Sequence, residues 1–460
     1  METQTNAPGG NPGPNIPNPN LGPIEKFSQW VKSSILLKLI AIGILVLILM
    51  IPTSMVSSLI RERQSLKNEA VYEVSSNWGL EQKISGPVIS VPFHEYEKQS
   101  DGTVKKYKRW SHFLPESIAI DGKIVPQKKY RGIYVVVLYN AKLAVNGKFN
   151  YPDFSSLGIN PADVIYSESI VSIGLSDLKG LKETIKFKVN DTEYTFNPGV
   201  PVKDIFDTGL SFPIALDSLT AQYDFSYNID INGSTAINFE PFGKDNSVQL
   251  ESEWGSPSFQ GDFLPDPSFT EVSDNLFKSR WKVLNLNRNY AQSGIGSYIN
   301  DADRNDFGVK LMLPVDEYNK IERSVKYCLM FIVITFIAFF FVEIINKRKI
   351  HPIQYLLVGI ALCVFYVLLL SISEHLAFNI AYLIGSLLTV SLLTYYVYFI
   401  FKNVKLTVSF SVILSALYFF YFSLLQLENY SLLLGSVGLF AILAIVLYLT
   451  RKIDWYNWNK

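Results

Sequence analysis

Ser373-Glu374-His375 sets a hydroxyl, a carboxylate and an imidazole in consecutive positions at the end of one apolar run, and Glu428 follows another apolar run further on. If the helices carrying these runs pack up and down with short connections, Ser373, Glu374, His375 and Glu428 come to one level near a membrane interface. Ionisable groups held there are costly if they face lipid. A histidine beside carboxylates titrates near neutral pH, so the functional reading is a proton-responsive or substrate-binding site. The structural reading is a hydrogen-bonded clamp between helix ends whose groups still reach water.

Other chemistry finds less support. The remaining histidines, His94, His112 and His351, form no His-Glu-x-x-His helix, and no cysteine pair has ligand spacing. Asp301-Ala-Asp303-Arg-Asn305 opens like a calcium loop, but Asp306 stands where the turn needs glycine and Met312 where a bidentate glutamate is needed. There is no phosphate-wrapping Gly-x-x-x-x-Gly-Lys-Ser/Thr and no Gly-x-Ser-x-Gly elbow, and Gly294-Ile-Gly296 lacks the third glycine of a dinucleotide fingerprint. No catalytic residue, metal or cofactor is therefore assigned, and the expectation leans away from an enzyme. Lys+Arg and Asp+Glu both total 41, a formal net charge of zero that gives no footprint for nucleic acid. Glu343 is a further ionisable group in an apolar run, with Lys347 as its i+4 neighbour.

The elements that would position these residues are mostly membrane spans. Leu39 to about Leu59 is close to the roughly twenty apolar residues needed to cross a bilayer and reads as a retained anchor rather than a cleaved signal. Five later stretches follow: Tyr327 to Ile345, Ile353 to Ser373, Ala377 to Ile400, Leu406 to Leu425 and Leu432 to Leu449. Lys347-Arg348-Lys349, Lys402 with Lys405, and Arg451-Lys452 fall on one side, whereas the connections at Ser373-Glu374-His375 and Gln426-Leu427-Glu428-Asn429 carry no Lys or Arg. Positive residues are retained in the cytoplasm, so both termini are expected there. Arg61, Arg63 and Lys67 balance Lys26, Lys32 and Lys38 across the first span, so orientation rests on the later loops.

The resulting plan is an integral membrane α-helical protein of six transmembrane helices, with a large, mainly antiparallel β exported domain inserted between helices 1 and 2. Residues 1–35 are read as a disordered cytoplasmic leader, rich in Asn, Pro and Gly. Residues 36–60 are the first helix, 61–325 a periplasmic β-rich domain opening with a helix, and 326–460 a bundle of five helices. Within the β-rich part, Ile185, Phe187 and Val189 alternate with lysines, turn at Asn190-Asp191 and return through Tyr194 and Phe196. Tyr223 to Ile231 alternates likewise and meets Asn232-Gly233, which predicts a tight hairpin turn before Thr235 to Phe239.

Specific runs add a family resemblance. They begin with Ile51-Pro52-Thr53-Ser54-Met55-Val56, Ile60-Arg61-Glu62-Arg63, Glu73-Val74-Ser75-Ser76-Asn77-Trp78-Gly79 and Ile84-Ser85-Gly86-Pro87. His351-Pro352-Ile353-Gln354-Tyr355 through Ser373-Glu374-His375 and Leu432 to Tyr456 continue the pattern, with Pro257-Ser258-Phe259-Gln260-Gly261 and Leu286-Asn287-Arg288-Asn289-Tyr290-Ala291-Gln292 between them. Together they resemble the CreD family of bacterial inner-membrane proteins over nearly everything after residue 35. The resemblance implies a role in cell-envelope integrity or an envelope-stress response. The bilayer is the expected surrounding, with an envelope protein or the cell wall as partner. It implies no reaction and supplies no site residues.

Overall fold

A computed structural model describes residues 35–101, 103–217, 221–313, 317–345, 350–427 and 431–451. The Asn/Pro/Gly-rich leader up to residue 34, Lys347-Arg348-Lys349, Glu428 and Lys452 lie outside the described residues. Contacts divide the chain into a helical unit, residues 1–62 and 317–460, and a β unit, residues 63–316.

Helix α1, Ile35–Trp78, runs for 44 residues with Pro52 inside it. The hydroxyls of Thr53, Ser54, Ser57 and Ser58 donate to carbonyls about one turn back, so the polar side chains around Pro52 are satisfied within the helix. Gly79 stops it, with its N–H on Ser75 O at 2.8 Å and a φ of 152°. A Cβ there would lie 2.5 Å from Asn232 O, so the stop requires glycine twice over.

The helical unit continues with α2 (Glu317–Lys326), α3 (Cys328–Ile345), α4 (Pro352–Ser373), α5 (Phe378–Phe401), α6 (Val404–Gln426) and α7 (Ser431–Thr450). His351 caps α4: its ring accepts from Ile353 N, Gln354 reaches back to His351 N at 3.0 Å, and Pro352 fills the first turn. Asn403 caps α6 through Lys405 N at 3.0 Å. Phe331 and Phe365 pack on Tyr418 with ring centres 4.7 and 4.9 Å away, and Tyr382 Oη donates to Tyr418 O. Among the described residues four helices are long and apolar enough to cross a bilayer, and α2 with α3, bent by 48°, makes up to a fifth. The apolar part of α7, Leu433–Tyr448, is shorter.

The β unit holds two sheets. The nine-stranded one runs Pro257–Gly261, Phe307–Leu311, Ala236–Phe239, Gln82–Lys98, Ser169–Leu175, Gly209–Ile214 and Asn197–Pro198, with Val104–Phe113 paired to Gln82–Lys98 and Ser293–Ile295 to Val104–Phe113. The eight-stranded one runs Glu271–Ser273, Leu276–Leu284, Asp245–Ser252, Ser117–Arg131, Tyr134–Asn150, Gln222–Ser234, Lys186–Val189 and Thr192–Thr195. Apolar side chains from both, among them Val91, Phe212, Phe239, Leu143, Ile229 and Trp281, form one buried core. The sheets are mixed rather than uniformly antiparallel. Gln82 pairs in parallel with Ile237, and Asp245 with Ser117. Alternation within one strand carries no information about its neighbour's direction, which is why these pairings escape a reading of the sequence.

The hairpin Lys186–Val189 with Thr192–Thr195 forms where alternation places it, with Asn190 at a φ of 50°. Asn232-Gly233 does not turn. Both residues lie inside Gln222–Ser234, opposite Asn140 and Tyr139, and the positive φ of 64° falls on Thr235. Tertiary pairing has overridden a local turn signal: Gly233 is needed because a Cβ there would meet Tyr139 Oη at 2.3 Å.

Candidate functional site

The Ser373-Glu374-His375 run sits at the C-terminal end of α4. Ser373 is buried, with its Oγ on Leu370 O at 2.8 Å, and Glu374 is the half-buried C-cap residue whose N–H reaches Leu370 O. The His375 N–H bonds Ile372 O at 3.1 Å, and the residue is exposed. At the same end of the unit the Gln426 amide of α6 donates to Asn379 Oδ1 of α5. The start of α5 and the end of α6 thus meet through an amide pair that the spacing of ionisable residues does not reveal. Glu428 lies outside the described residues.

A denser polar group occupies the other end. Glu343, buried near the end of α3, accepts from Lys38 of α1, from Ile350 N at 2.9 Å and from Tyr355 Oη at 2.8 Å. Lys38 also donates to Ile350 O at 3.0 Å. One carboxylate therefore ties the start of α1, the end of α3 and the start of α4. Lys38, 305 positions away in sequence, is its ion-pair partner among the described residues, and the i+4 neighbour Lys347 lies outside them. A buried charge matched by a cation and two hydrogen-bond donors fits the rule that intramembrane ions persist only when paired. Between the two ends, Thr53 Oγ1 lies 3.8 Å from Cys328 Sγ and 3.9 Å from Cys363 Sγ, so both cysteines of the chain approach one hydroxyl.

In the β unit, register places Ser90 opposite His112, and Ser90 Oγ lies 2.9 Å from His112 Nδ1 while Asp204 Oδ2 lies 3.2 Å from Nε2. Burial, only partly opposed by Asp204, holds the His112 pKa below its ordinary value of 6.5. The three residue types invite comparison with a hydrolytic triad, but Ser90 and His112 are both buried, so no substrate could reach the hydroxyl. This imidazole is a satisfied core group. Nearby in sequence, Lys83 Nζ lies 3.0 Å from both Glu240 and Asp306, and Arg304 lies 3.6 Å from the buried Glu240. Burial works against the Lys83 charge, and the two carboxylates outweigh it, raising its pKa overall.

The outward face of the eight-stranded sheet forms an open trough of about 810 Å³, with Asp121, Lys123, Lys142, Glu183, Lys186 and Asp230 along it. Lys123 and Lys142 stand opposite each other with Glu251 and Asp230 on the strands to either side, so the charges are of mixed sign and favour no one class of ion. Among the described residues no group of three or more His, Cys, Asp or Glu side chains is arranged to hold a metal ion.

Comparison with known proteins fits this architecture. The sequence is 30% identical over 437 residues to a protein of Escherichia coli (strain K12) described as Inner membrane protein CreD, covering 93% of this chain and 95% of that one. The family pattern described as Inner membrane protein CreD matches residues 34–456, an extent that takes in the described helices and both sheets, and the chain belongs to the CreD family of inner membrane proteins.

Proposed function

We propose that this chain is a six-span inner-membrane protein with both termini in the cytoplasm and its β unit in the periplasm. There it contributes to envelope integrity or an envelope-stress response by binding a partner through the β unit. The observation that carries this reading is the β unit itself, which closes around its own core and leaves long polar strand faces exposed. The charge pattern of the loops supports the orientation, and α7, whose apolar part spans Leu433–Tyr448, supplies the sixth crossing with modest bilayer adjustment. Alkaline phosphatase inserted at the exposed Arg131-Gly132-Ile133 turn should be active, and the same reporter at the C-terminus inactive. The opposite pattern would sink the reading.

A second reading is a transporter or membrane-embedded enzyme using Ser373, Glu374, His375 and Glu428. The Asn379–Gln426 bond supports it by bringing the start of α5, just after His375 in sequence, to the end of α6. His375→Gln decides between them, since Gln keeps donor and acceptor but cannot change charge. Loss of function at unchanged abundance would favour the proton-linked site, and retained function the clamp.

A further inference from the structure

The strands Gln82–Lys98 and Val104–Phe113 run on together beyond the rest of the nine-stranded sheet. Their inner parts are flanked by Ser169–Leu175 and Ser293–Ile295, but from His94 outward each has only the other as a ladder partner among the described residues. The result is a two-stranded ribbon with little covering either face. Tyr96 is 53% exposed and Val104 61%.

Alternate residues of a strand point to opposite faces, so the register sorts the ribbon's charges. On one face His94, Tyr96 and Lys98 stand opposite Lys108, Lys106 and Val104, with Trp110 beyond them opposite Pro92. On the other face Glu95 and Glu97 stand opposite Tyr107 and Lys105, and Arg109 bonds Glu95 at 2.9 Å. Both ribbon carboxylates thus fall on the second face, which is balanced, while the first carries three ammonium groups and no acid of its own. Glu168 from a neighbouring turn engages Lys108. Asp101, in the tip, is turned onto Thr103, with its carboxylate 2.9 Å from Thr103 N.

Lys106 and Lys108 lie over Tyr96 and Trp110, 5.9 and 5.3 Å from the ring centres, which restricts their rotamers and holds the charges in a row. Edge lysines also discourage strand-to-strand aggregation, but that role does not require the carboxylates to be sorted onto one face. The ribbon's place in the unit is informative too. The chain enters at Gln82 and leaves through Phe307–Leu311, one strand away across Ala236–Phe239, so entry and exit share one end of the sheet. The ribbon tip is at the other end.

Resting on the reading that the β unit is exported, we infer that the ribbon face with no carboxylate of its own strands, centred on Lys98, Tyr96 and Lys106 with Lys108 shared with Glu168, binds the carboxylate-rich peptide–glycan polymer of the cell wall. Carboxylates spaced along such a polymer complement a row of fixed ammonium groups, and a ribbon clear of the sheet can lie along it. The test uses the full-length protein in detergent micelles, sedimented with purified cell-wall sacculi. Wild type should pellet with sacculi at low salt and release at high salt. The pair Lys98→Glu with Lys106→Glu should weaken pelleting roughly tenfold, while Lys105→Glu on the opposite face should leave it little changed. Circular dichroism of the variants checks that these exposed substitutions leave the fold intact. Absence of pelleting by the wild type, equal loss from both faces, or Lys98- and Lys106-dependent binding to phosphatidylglycerol vesicles in place of sacculi would overturn the inference. A reporter result placing the β unit outside, combined with no sacculus binding, removes this inference alone; a cytoplasmic β unit removes both it and the proposed function.

Discussion

Glu343 brings a charge into the interior of the helical unit and is met by an ammonium, an amide and a phenol. Removing the carboxylate leaves Lys38 without its anion and two donors without their acceptor, which costs about 3 kcal/mol by the behaviour of broken buried pairs. Glu343→Ala should therefore lower the thermal midpoint in micelles and the steady-state protein level. Adding Lys38→Met should recover a substantial part of the loss, because the second change removes the stranded charge; no recovery in the double variant would show that the pair is not coupled. His112 makes a different demand. Its folded pKa lies below 6.5, so between the two values the unfolded chain binds more protons than the folded one, and stability falls as pH drops through that window. Hydrogen-exchange protection factors along Val88–Phe93, corrected for the intrinsic pH dependence of exchange, should fall as the pH drops below 6.5, and His112→Gln should flatten that dependence. An unchanged pH profile in the variant would assign the acid sensitivity to another group.

At the scale of elements, glycine acts where chain paths nearly touch. Gly79 combines a φ of 152° with an approach that would bring a Cβ to 2.5 Å from Asn232 O, so Gly79→Ala strains the backbone and displaces the strand behind it. The expected cost is about 1–3 kcal/mol, read as a lower melting midpoint. A neutral substitution would mean that the end of α1 can shift away from Asn232. The same neighbourhood shows where reading by pattern succeeds and fails. Apolar runs of membrane length locate α3 to α7 to within a few residues, because hydrocarbon demands them regardless of tertiary context. Lys186–Thr195 is equally legible, since turn and alternation agree. Asn232-Gly233 misleads because its residues serve close packing on Tyr139 inside a long strand. The Lys38–Glu343 pair is invisible to any local rule, and the bond between Asn379 and Gln426 joins uncharged residues that draw no notice beside His375 and Glu374.

At the scale of the whole molecule, the β unit owns the last turns of α1. Trp78 Nε1 donates to Tyr139 O at 3.1 Å, Arg131 pairs with Glu73 at 2.6 Å, and Tyr134 Oη reaches Arg63 O. A fragment running from Arg63 to Leu313 keeps these contacts and the entire buried core, so it should be soluble and unfold in one cooperative transition. A fragment beginning at Leu80 loses them and should melt at a lower temperature. Equal midpoints would show that the helical turns add nothing to the unit.

The entry strand at Gln82 and the exit strand Phe307–Leu311 are separated by a single strand of four residues. A domain whose two ends emerge side by side behaves as a cassette: it can enter a host chain at one point, or leave it, without pulling that point apart. The membrane portion and the β portion can therefore change at different rates over evolution, and exchanging the β unit for another domain with neighbouring ends becomes a problem of two short splices rather than of redesigning the helices.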